Sequence, residues 1–540
     1  MQIDITIKNY RCFSDSNPAK ISLYPGITSF VGPNNAGKST ILKFFYEFRA
    51  FFNLFTSNFN PLMTAIQNQS AGVVFPTIDD PAQIFYNGNN RPLEIIFDFS
   101  KIDTSSKHPL PNVNTADYFI LFPKKLHIII NRHPINWAAE VELSDGTKAI
   151  GHSFTATEYG ISFNSNKIID CRYIKDVFSN FSNSLYIGPF RNAINLGSNE
   201  NYFDIRVGQA AITNWRELKQ SGVSKNRDKA YELTDNIRRI FDFRDLDLNS
   251  SSDDQTLFIR ANNKNYSLSE LGSGFTQFFL MFLSAAIRDP KPKFILIDEP
   301  ELNLHPSLQL DFLTALGSYA SEGLLFATHN YGLARAASER IYLVRKTPEG
   351  ESIVEPNDGT THLSTFLGEL GFSAYHDLGF DKILLVEGPS ELKTIQQFLR
   401  LYQKDHKFVL IHLGGGSSIH GGIGDQLEEM KRITPNISVV IDSEKANPNA
   451  ILEKRIMEFE NACKIAGVSC MILKRRAMEN YFPDASIRKA LGEHYKQLGH
   501  YEKLSEAKTP WNKNFNWRIA REMDIKDLEG TDLGEFLNSL

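Results

Sequence analysis

Short, nearly unbroken apolar runs recur along this chain at Phe294 to Ile297, Leu324 to Ala327, Ile383 to Val386 and Ile437 to Ile441. Runs of that length without a polar face predict strands buried on both sides, as in a parallel sheet. Each gives way to polar or charged residues: Asp298 and Glu299, His329, Glu387, and Asp442 with Glu444. Ile21 to Val31 predicts another strand, followed by a helix from Thr40 to Phe48, so the class is α/β. A different pattern opens the chain, where Met1 to Phe13 alternates apolar and polar residues as a half-buried strand does. Leu93 to Phe99, Lys125 to Asn131 and Glu140 to Leu143 predict an antiparallel lobe with Asn, Gly and Pro at its turns. Asp204 to Phe241 has a helical pattern broken near Ser221 and Gly222. The boundaries read as a first domain of residues 1–346 with insertions at about 50–185 and 200–245, then a polar linker at 347–378. A second α/β domain at 379–485 and a small helical region at 486–540, with Trp511 and Trp517, complete the chain.

With 540 residues, 42% hydrophobic and 22% charged, the chain has material for two or three full cores. Cys12, Cys171, Cys463 and Cys470 show no CxxC pairing, which fits neither a zinc ribbon nor a disulfide framework and points to a reduced cytoplasm. The start lacks the apolar core of a signal peptide, and the longest apolar stretch, Phe278 to Ile287, is too short for a bilayer, so no membrane role is expected. A formal net charge of −5 offers no global attraction to DNA. Local basic candidates are Lys219 to Lys229, with Lys225 and Arg227, and the triplet Lys474, Arg475 and Arg476; ordinary solvated faces are the plainer reading of both.

Between the first predicted strand and helix lies Gly32-Pro33-Asn34-Asn35-Ala36-Gly37-Lys38-Ser39. A glycine-rich turn entering a helix offers backbone N–H groups and the helix dipole to phosphate, with Lys38 for the outer phosphates and Ser39 for Mg²⁺. The nucleotide-binding set is therefore Gly32, Asn34, Asn35, Gly37, Lys38, Ser39 and Thr40. Asp298 can hold the Mg²⁺ shell, Glu299 can orient or deprotonate the attacking water, and His329 can contact the γ-phosphate. Leu268 to Gly274 places Ser273 and Gly274 before a strongly apolar helix, a second phosphate-binding N-terminus.

The order of phosphate loop, Gly-Ser-Gly signature, Asp-Glu pair and histidine resembles the ABC-type ATPases of the SMC and RecF group. That resemblance implies a homodimer or higher homo-oligomer in which the signature of one head closes on nucleotide held by another. It also implies an interface loop with Glu301, Asn303 and His305. Arg11 and Phe13 fit the group's opening strand, and Tyr186 to Arg191 resembles a stretch frequent in it.

The second domain carries another chemistry. Glu387 and Gly388 follow one strand, with Glu391 on the first turn of the next helix, and Asp442 and Glu444 follow another strand. Parallel strands put such termini side by side, and converging carboxylates repel unless cations sit between them; oxygen ligands favour Mg²⁺ or Mn²⁺. The pattern resembles the Toprim domain of topoisomerases, primases and nucleases, except that Glu444 stands where Asp is commoner. Gly414 to Gly416 can let backbone approach a phosphate or form an ordinary loop. An ABC-type ATPase followed by Toprim resembles the OLD (overcoming lysogenization defect) family of ATP-dependent nucleases over roughly residues 1–485. Within that resemblance, Leu473 to Tyr481 implies Glu479 as a further metal ligand and Lys474 as a group for the scissile phosphate.

The resulting expectation is a cytoplasmic, ATP-regulated, metal-dependent DNA endonuclease with Glu299, His329, Glu387 and Lys474 in catalysis. Its metal ligands would be Ser39, Asp298, Glu387, Glu391, Asp442, Glu444 and Glu479. The family resemblance implies anti-phage defence, as in Gabija or a retron, where a reverse transcriptase and its RNA-linked DNA would be partners. Two rivals remain: an ATP-dependent DNA clamp or sensor whose Toprim fold is structural, and a topoisomerase or primase. The latter lacks a zinc cluster and room for a strand-passage domain.

Overall fold

A computed structural model describes residues 2–67, 71–102, 119–149, 154–163, 167–189, 201–268, 270–300, 306–347, 350–357, 382–413 and 424–540. The chain divides into two compact units, one of residues 1–329 with 340–357, the other of 330–339 with 358–540. No helix among the described residues is long and apolar enough to cross a membrane.

The first unit is organised by a six-stranded sheet in the order Ser184–Ile187, Phe294–Asp298, Gly323–Thr328, Gly26–Val31, Arg340–Lys346, Ser352–Pro356. Its first five strands are parallel and the last is antiparallel. Phe294–Asp298 and Gly323–Thr328 are buried at every residue, which accounts for the unbroken apolar runs that mark them in the sequence. The predicted strand from Ile21 to Val31 is in fact two, Ala19–Leu23 and Gly26–Val31, because Gly26 at φ 118 turns the chain between different sheets. The helix after the phosphate loop begins at Lys38 and ends at Glu47.

The expected antiparallel lobe is not separate from the N-terminus. Ile3–Lys8 pairs with Ala19–Leu23 on one side and with Leu93–Asp98 on the other, and the sheet continues through Pro123–Arg132, Ile135–Leu143 and Ala71–Gly72. Ile3–Lys8 and Leu93–Asp98 alternate buried and half-buried residues, so one face of the sheet requires cover. Helices Arg49–Ser57 and Arg172–Ser182 contribute Phe51, Phe52, Phe55, Val177, Phe178 and Phe181 to the same core. There Phe178 stacks on Phe52 at 5.5 Å and meets Phe55 at 4.5 Å and Phe97 at 4.9 Å.

Helices Gly208–Lys219 and Ser224–Ile240 divide near Ser221 and Gly222 and pack together, with Ser273–Ala286 against both. The basic residues here are engaged within the unit: Lys219 with Asp247, Lys225 with Asp289, Arg227 with the Ser221 carbonyl and Lys229 with the Arg288 carbonyl. Lys225 and Asp289 nevertheless remain exposed, so part of this charge stays at the surface.

The second unit has four parallel strands in the order Phe408–His412, Lys382–Val386, Ile437–Ile441, Ser469–Ile472. Its first strand in the chain lies inside the sheet, so successive strands are added to opposite sides and a topological switch point falls at its carboxyl end. The C-terminal residues are part of this unit's packing rather than an appendage. Helix Asn516–Arg521 packs on helix Pro389–Leu401, and Lys404 donates to the carbonyls of Leu537 and Asn538.

The aromatic core makes a direct prediction. Phe178→Ala should destabilise the first unit by about 3–5 kcal/mol, the usual cost of emptying a buried aromatic site. Denaturant unfolding followed by a probe in that unit checks this; a loss below about 1 kcal/mol would mean that the site collapses without the ring.

Candidate functional site

In the first unit the phosphate loop runs from the strand Gly26–Val31 into the helix Lys38–Glu47. A Cβ on Gly32 would lie 1.9 Å from the Val344 carbonyl oxygen, so the loop passes a neighbouring strand at a distance only glycine permits. Gly37, at φ 107, makes the left-handed turn into the helix, and Asn35 is left-handed at φ 61. Asn34 and Asn35 are exposed, whereas Ser39 and Thr40 are half-buried at the helix start. The Lys38 ammonium is buried and donates to the Pro33 carbonyl at 2.9 Å. Ser39 Oγ donates to Asp298 Oδ1 at 2.9 Å, which joins the loop to the end of the strand Phe294–Asp298. Burial, with Glu299 beside it, raises the Asp298 carboxyl to about 6, against the opposing effects of Ser39, Lys43 and Lys38. A hydroxyl and a buried carboxylate brought together in this way fit a hydrated Mg²⁺ carried by a nucleotide.

Glu299 follows that strand in a left-handed conformation, φ 54, and its N–H donates to the Ala327 carbonyl at 2.9 Å. His329 is exposed one residue beyond Gly323–Thr328, the neighbouring strand. Asp298, Glu299 and His329 thus leave adjacent strand ends, and Gly26–Val31 lies on the other side of Gly323–Thr328. Ser273 and Gly274 form the first turn of helix Ser273–Ala286, and Ser273 is exposed. Arg11 is held by the buried Glu47, 2.6 Å away on the loop's helix, and Tyr10 donates to the same carboxylate at 2.7 Å. Glu301, Asn303 and His305, with Arg191, lie outside the described residues, as do Gly414 to Gly416.

In the second unit Glu387 follows Val386 and Asp442 follows Ile441, at the ends of paired parallel strands. Glu391 sits in the first turn of helix Pro389–Leu401. A Cβ on Gly388 would meet its Oε2 at 2.8 Å, so the absence of a side chain there makes room for the carboxylate. Asp442 is buried and accepts from the Met478 N–H at 3.1 Å. Burial, followed by Glu391 and Glu479, raises its carboxyl far above the usual range. Glu387 is raised by burial and Glu391, with Arg455 acting in the opposite direction.

Glu479 is 3% exposed; its Oε1 lies 3.1 Å from the Lys513 ammonium, and its Oε2 is buried with no hydrogen-bond partner. Burial opposes the Lys513 charge, but Glu479, Asp442 and Glu391 outweigh it and hold the ammonium above its ordinary range. An orphaned carboxylate oxygen beside a buried aspartate whose charge is disfavoured by burial and by neighbouring acids fits a divalent cation, which would offset that charge. As the side chains stand, no three His, Cys, Asp or Glu among the described residues close on a single point.

Glu444, again at φ 54, is engaged by Arg476 at 2.8 Å. Lys474 is exposed, and its backbone N–H donates to Asp532 at 2.7 Å. The cation at Glu479 is Lys513, which sequence reasoning missed. It comes from the C-terminal segment, and a solitary lysine there has no motif around it. Asn480 fastens that segment by donating to the carbonyls of Gly499 and Glu502 at 2.6 and 2.9 Å.

The class these loops and strand ends define in the first unit is a P-loop ATPase of the AAA/ABC type. The chain belongs to the family described as "AAA domain, putative AbiEii toxin, Type IV TA system", which it matches over residues 27–335. Residues 4–46 also match a family described as "AAA domain". No curated protein matches the sequence. Similar solved structures include the SmcHead bound to the C-winged helix domain of ScpA, at 14% identity over 66% of this chain and 97% of that one, TM-score 0.38. The SMC head domain from Thermotoga maritima is 16% identical over 66% and 99% of the two chains, TM-score 0.32. The Smc head domain with an extended coiled coil, bound to the C-terminal domain of ScpA derived from Pyrococcus furiosus, is 12% identical over 69% and 98%, TM-score 0.34.

Removing Lys513 should expose the repulsion that it now offsets. With its side chain 42% exposed, solvent already screens part of the interaction. Lys513→Met is therefore expected to cost about 1–3 kcal/mol in EDTA, less than for a fully buried pair. Millimolar Mg²⁺ or Mn²⁺ should recover part of that loss. Melting curves with and without metal check this, and equal melting of both proteins in EDTA would remove Lys513 from its compensating role.

Proposed function

We propose that this ATPase is also a divalent-metal-dependent nuclease that cleaves DNA phosphodiesters, and that nucleotide bound in its first unit regulates the cleavage. The observation that carries the reading is the buried carboxylate group at the switch point of the second unit's sheet: Asp442 raised far above its usual range and Glu479 with an orphaned oxygen. Glu387, Glu391, Asp442 and Glu479, with Glu444 once released from Arg476, would hold Mg²⁺ or Mn²⁺. Such ions activate water and stabilise charge developing on phosphate. Lys513 supplies an ammonium for a non-bridging phosphate oxygen, a role that the family resemblance had placed on Lys474. The four-stranded parallel sheet with acids after its paired central strands supports a Toprim reading of the second unit, and with it membership in the OLD-like nucleases.

In the first unit Lys38 and the loop backbone bind the outer phosphates, Ser39 and Asp298 hold the Mg²⁺ of the nucleotide, and Glu299 takes up the proton of the attacking water. The exposed Ser273 and half-buried Gly274 at a helix N-terminus suit the phosphates of a second copy, making the working form a dimer or higher oligomer with shared sites. A cytoplasmic effector in bacterial defence is the physiology this reading favours, with a reverse transcriptase and its RNA-linked DNA as partners if it serves a retron.

Cleavage of supercoiled and linear DNA, with and without Mg²⁺, Mn²⁺ and ATP, tests the reading. Asp442→Ala should lower cleavage by at least about a hundredfold, more than the loss of a supporting group costs. ATPase turnover should stay within about twofold, because separate sites perturb each other little. Glu299→Gln should bind ATP and hydrolyse it about a hundredfold more slowly or worse, and Lys38→Ala should lose tight binding. Cleavage by Asp442→Ala at the wild-type rate would remove the nuclease assignment. Nucleotide-dependent DNA binding without cleavage by the wild type would leave a clamp or sensor.

A further inference from the structure

Residues 330–339 pack as part of the second unit, although residues 329 and 340 on either side belong to the first. The strands leading into and out of this segment, Gly323–Thr328 and Arg340–Lys346, both pair with Gly26–Val31, the strand that delivers the phosphate loop. Helix Tyr331–Ala337 is therefore tethered at both ends to the nucleotide-binding sheet, and one residue, Asn330, separates it from His329. Within the second unit it packs against helix Pro389–Leu401 and strand Phe408–His412.

The attachment is specific and buried. Asn330 caps the helix by accepting from the Leu333 N–H at 3.0 Å. The Arg335 guanidinium donates to the His412 carbonyl at 3.2 Å, and His412 Nε2 donates to the Arg335 carbonyl at 2.7 Å. Glu339 pairs at 2.7 Å with Lys393, which is 5% exposed. Both receiving elements adjoin the carboxylate centre. Lys393 lies two residues beyond Glu391 on the same helix, and Leu413, just past His412, donates to the carbonyl of Val386 at 2.8 Å, the residue before Glu387.

We propose that residues 330–339 are the coupling latch of the molecule: a nucleotide-dependent change at the end of Gly323–Thr328 moves helix Tyr331–Ala337, which carries with it the helix and strand that set Glu391 and Glu387. A short helix buried on nearly all its residues, bonded reciprocally to His412 through Arg335 and followed by the Glu339 ion pair, transmits displacement as a body. Loop residues would absorb it. The latch takes its output from the proposed nuclease site, but its transmission does not depend on that site cutting DNA.

The test uses the full chain with Glu339→Gln and Lys393→Met together, which removes the ion pair without leaving a buried charge. Lys393→Arg keeps the pair and serves as the conservative control. Hydrogen exchange of peptides spanning 331–337 and 389–401 is measured with and without a non-hydrolysable ATP analogue. In the wild type and in Lys393→Arg, the analogue should change exchange in both segments; in the double variant the change in 389–401 should disappear. In parallel, ATP should alter DNA cleavage by at least about fivefold in the wild type, the lower end of ordinary coupling between sites, and by less than about twofold in the double variant with ATP turnover retained. A wild-type nucleotide response of 389–401 in the double variant, or none in the wild type, overturns the latch. If no protein cleaves DNA yet exchange behaves as expected, the nuclease reading falls and the latch stands.

Discussion

A strand buried on both faces cannot carry charge along its length, and that constraint decides where the chemistry of this chain lies. Phe294–Asp298, Gly323–Thr328, Lys382–Val386 and Ile437–Ile441 are apolar through their interiors, so acids and histidine appear only where they end. Because the strands are parallel and about 4.8 Å apart, the ends of neighbours come out together. Asp298 and Glu299 meet the strand before His329, and Glu387 meets the strand before Asp442. The same packing that excludes charge from the core concentrates it at one pole of each sheet.

Concentration has a cost, and the two units offset it differently. At the nucleotide site, the Ser39 hydroxyl and the Lys38 and Lys43 ammonium groups moderate Asp298, leaving it at about 6. At the carboxylate centre, the compensating cations are Lys513, Arg455 and Arg476. Lys513 acts through a long detour of chain, fixed by the Asn480 bonds and by Tyr481 donating to Asp532 at 2.7 Å. Solvent screening keeps the Lys513 contribution below the about 3–5 kcal/mol of a fully buried pair, yet its ion pair with Glu479 still ties the sheet's acidic pole to the C-terminal segment.

This explains what was legible in the sequence. Unbroken apolar runs and the Gly32 to Ser39 loop are local signals, and strand, loop and helix stand close to where those signals put them. Asp298, Glu299, Glu387 and Asp442 could be named because they end or directly follow their strands, whereas Glu479 was reached only through the family resemblance. Long-range pairing left no such trace. Nothing local shows that Ile3–Lys8 is stitched to Leu93–Asp98, or that residues 330–339 pack apart from the residues flanking them. Lys513 was hidden for the same reason, as was the capture of Glu444 by Arg476: both are contacts between segments whose spacing in sequence has no fixed period. In the basic stretch from Lys219 to Lys229, the charge visible in sequence has local partners, in ion pairs and carbonyl bonds, that the sequence does not show.

Glu299 and Glu444 share a feature that links the two poles. Each sits at φ 54, a left-handed conformation that costs a residue with a side chain about 1–3 kcal/mol and persists only where its surroundings impose it. The imposition is visible. The Glu299 N–H is held by the Ala327 carbonyl of the adjacent strand, and the Glu444 N–H by the Arg476 carbonyl, in the segment that follows the adjacent strand Ser469–Ile472. In both units, therefore, an acidic residue is pinned as it leaves the sheet by donating its backbone N–H to a carbonyl of a neighbouring segment. Glycine would adopt this turn without strain but would carry no carboxylate. Left-handed backbone recurs at Phe203, Asp242 and Gln403, at φ 54, 53 and 56, so the strain fixes how these two acids leave their sheets and does not by itself assign them chemistry.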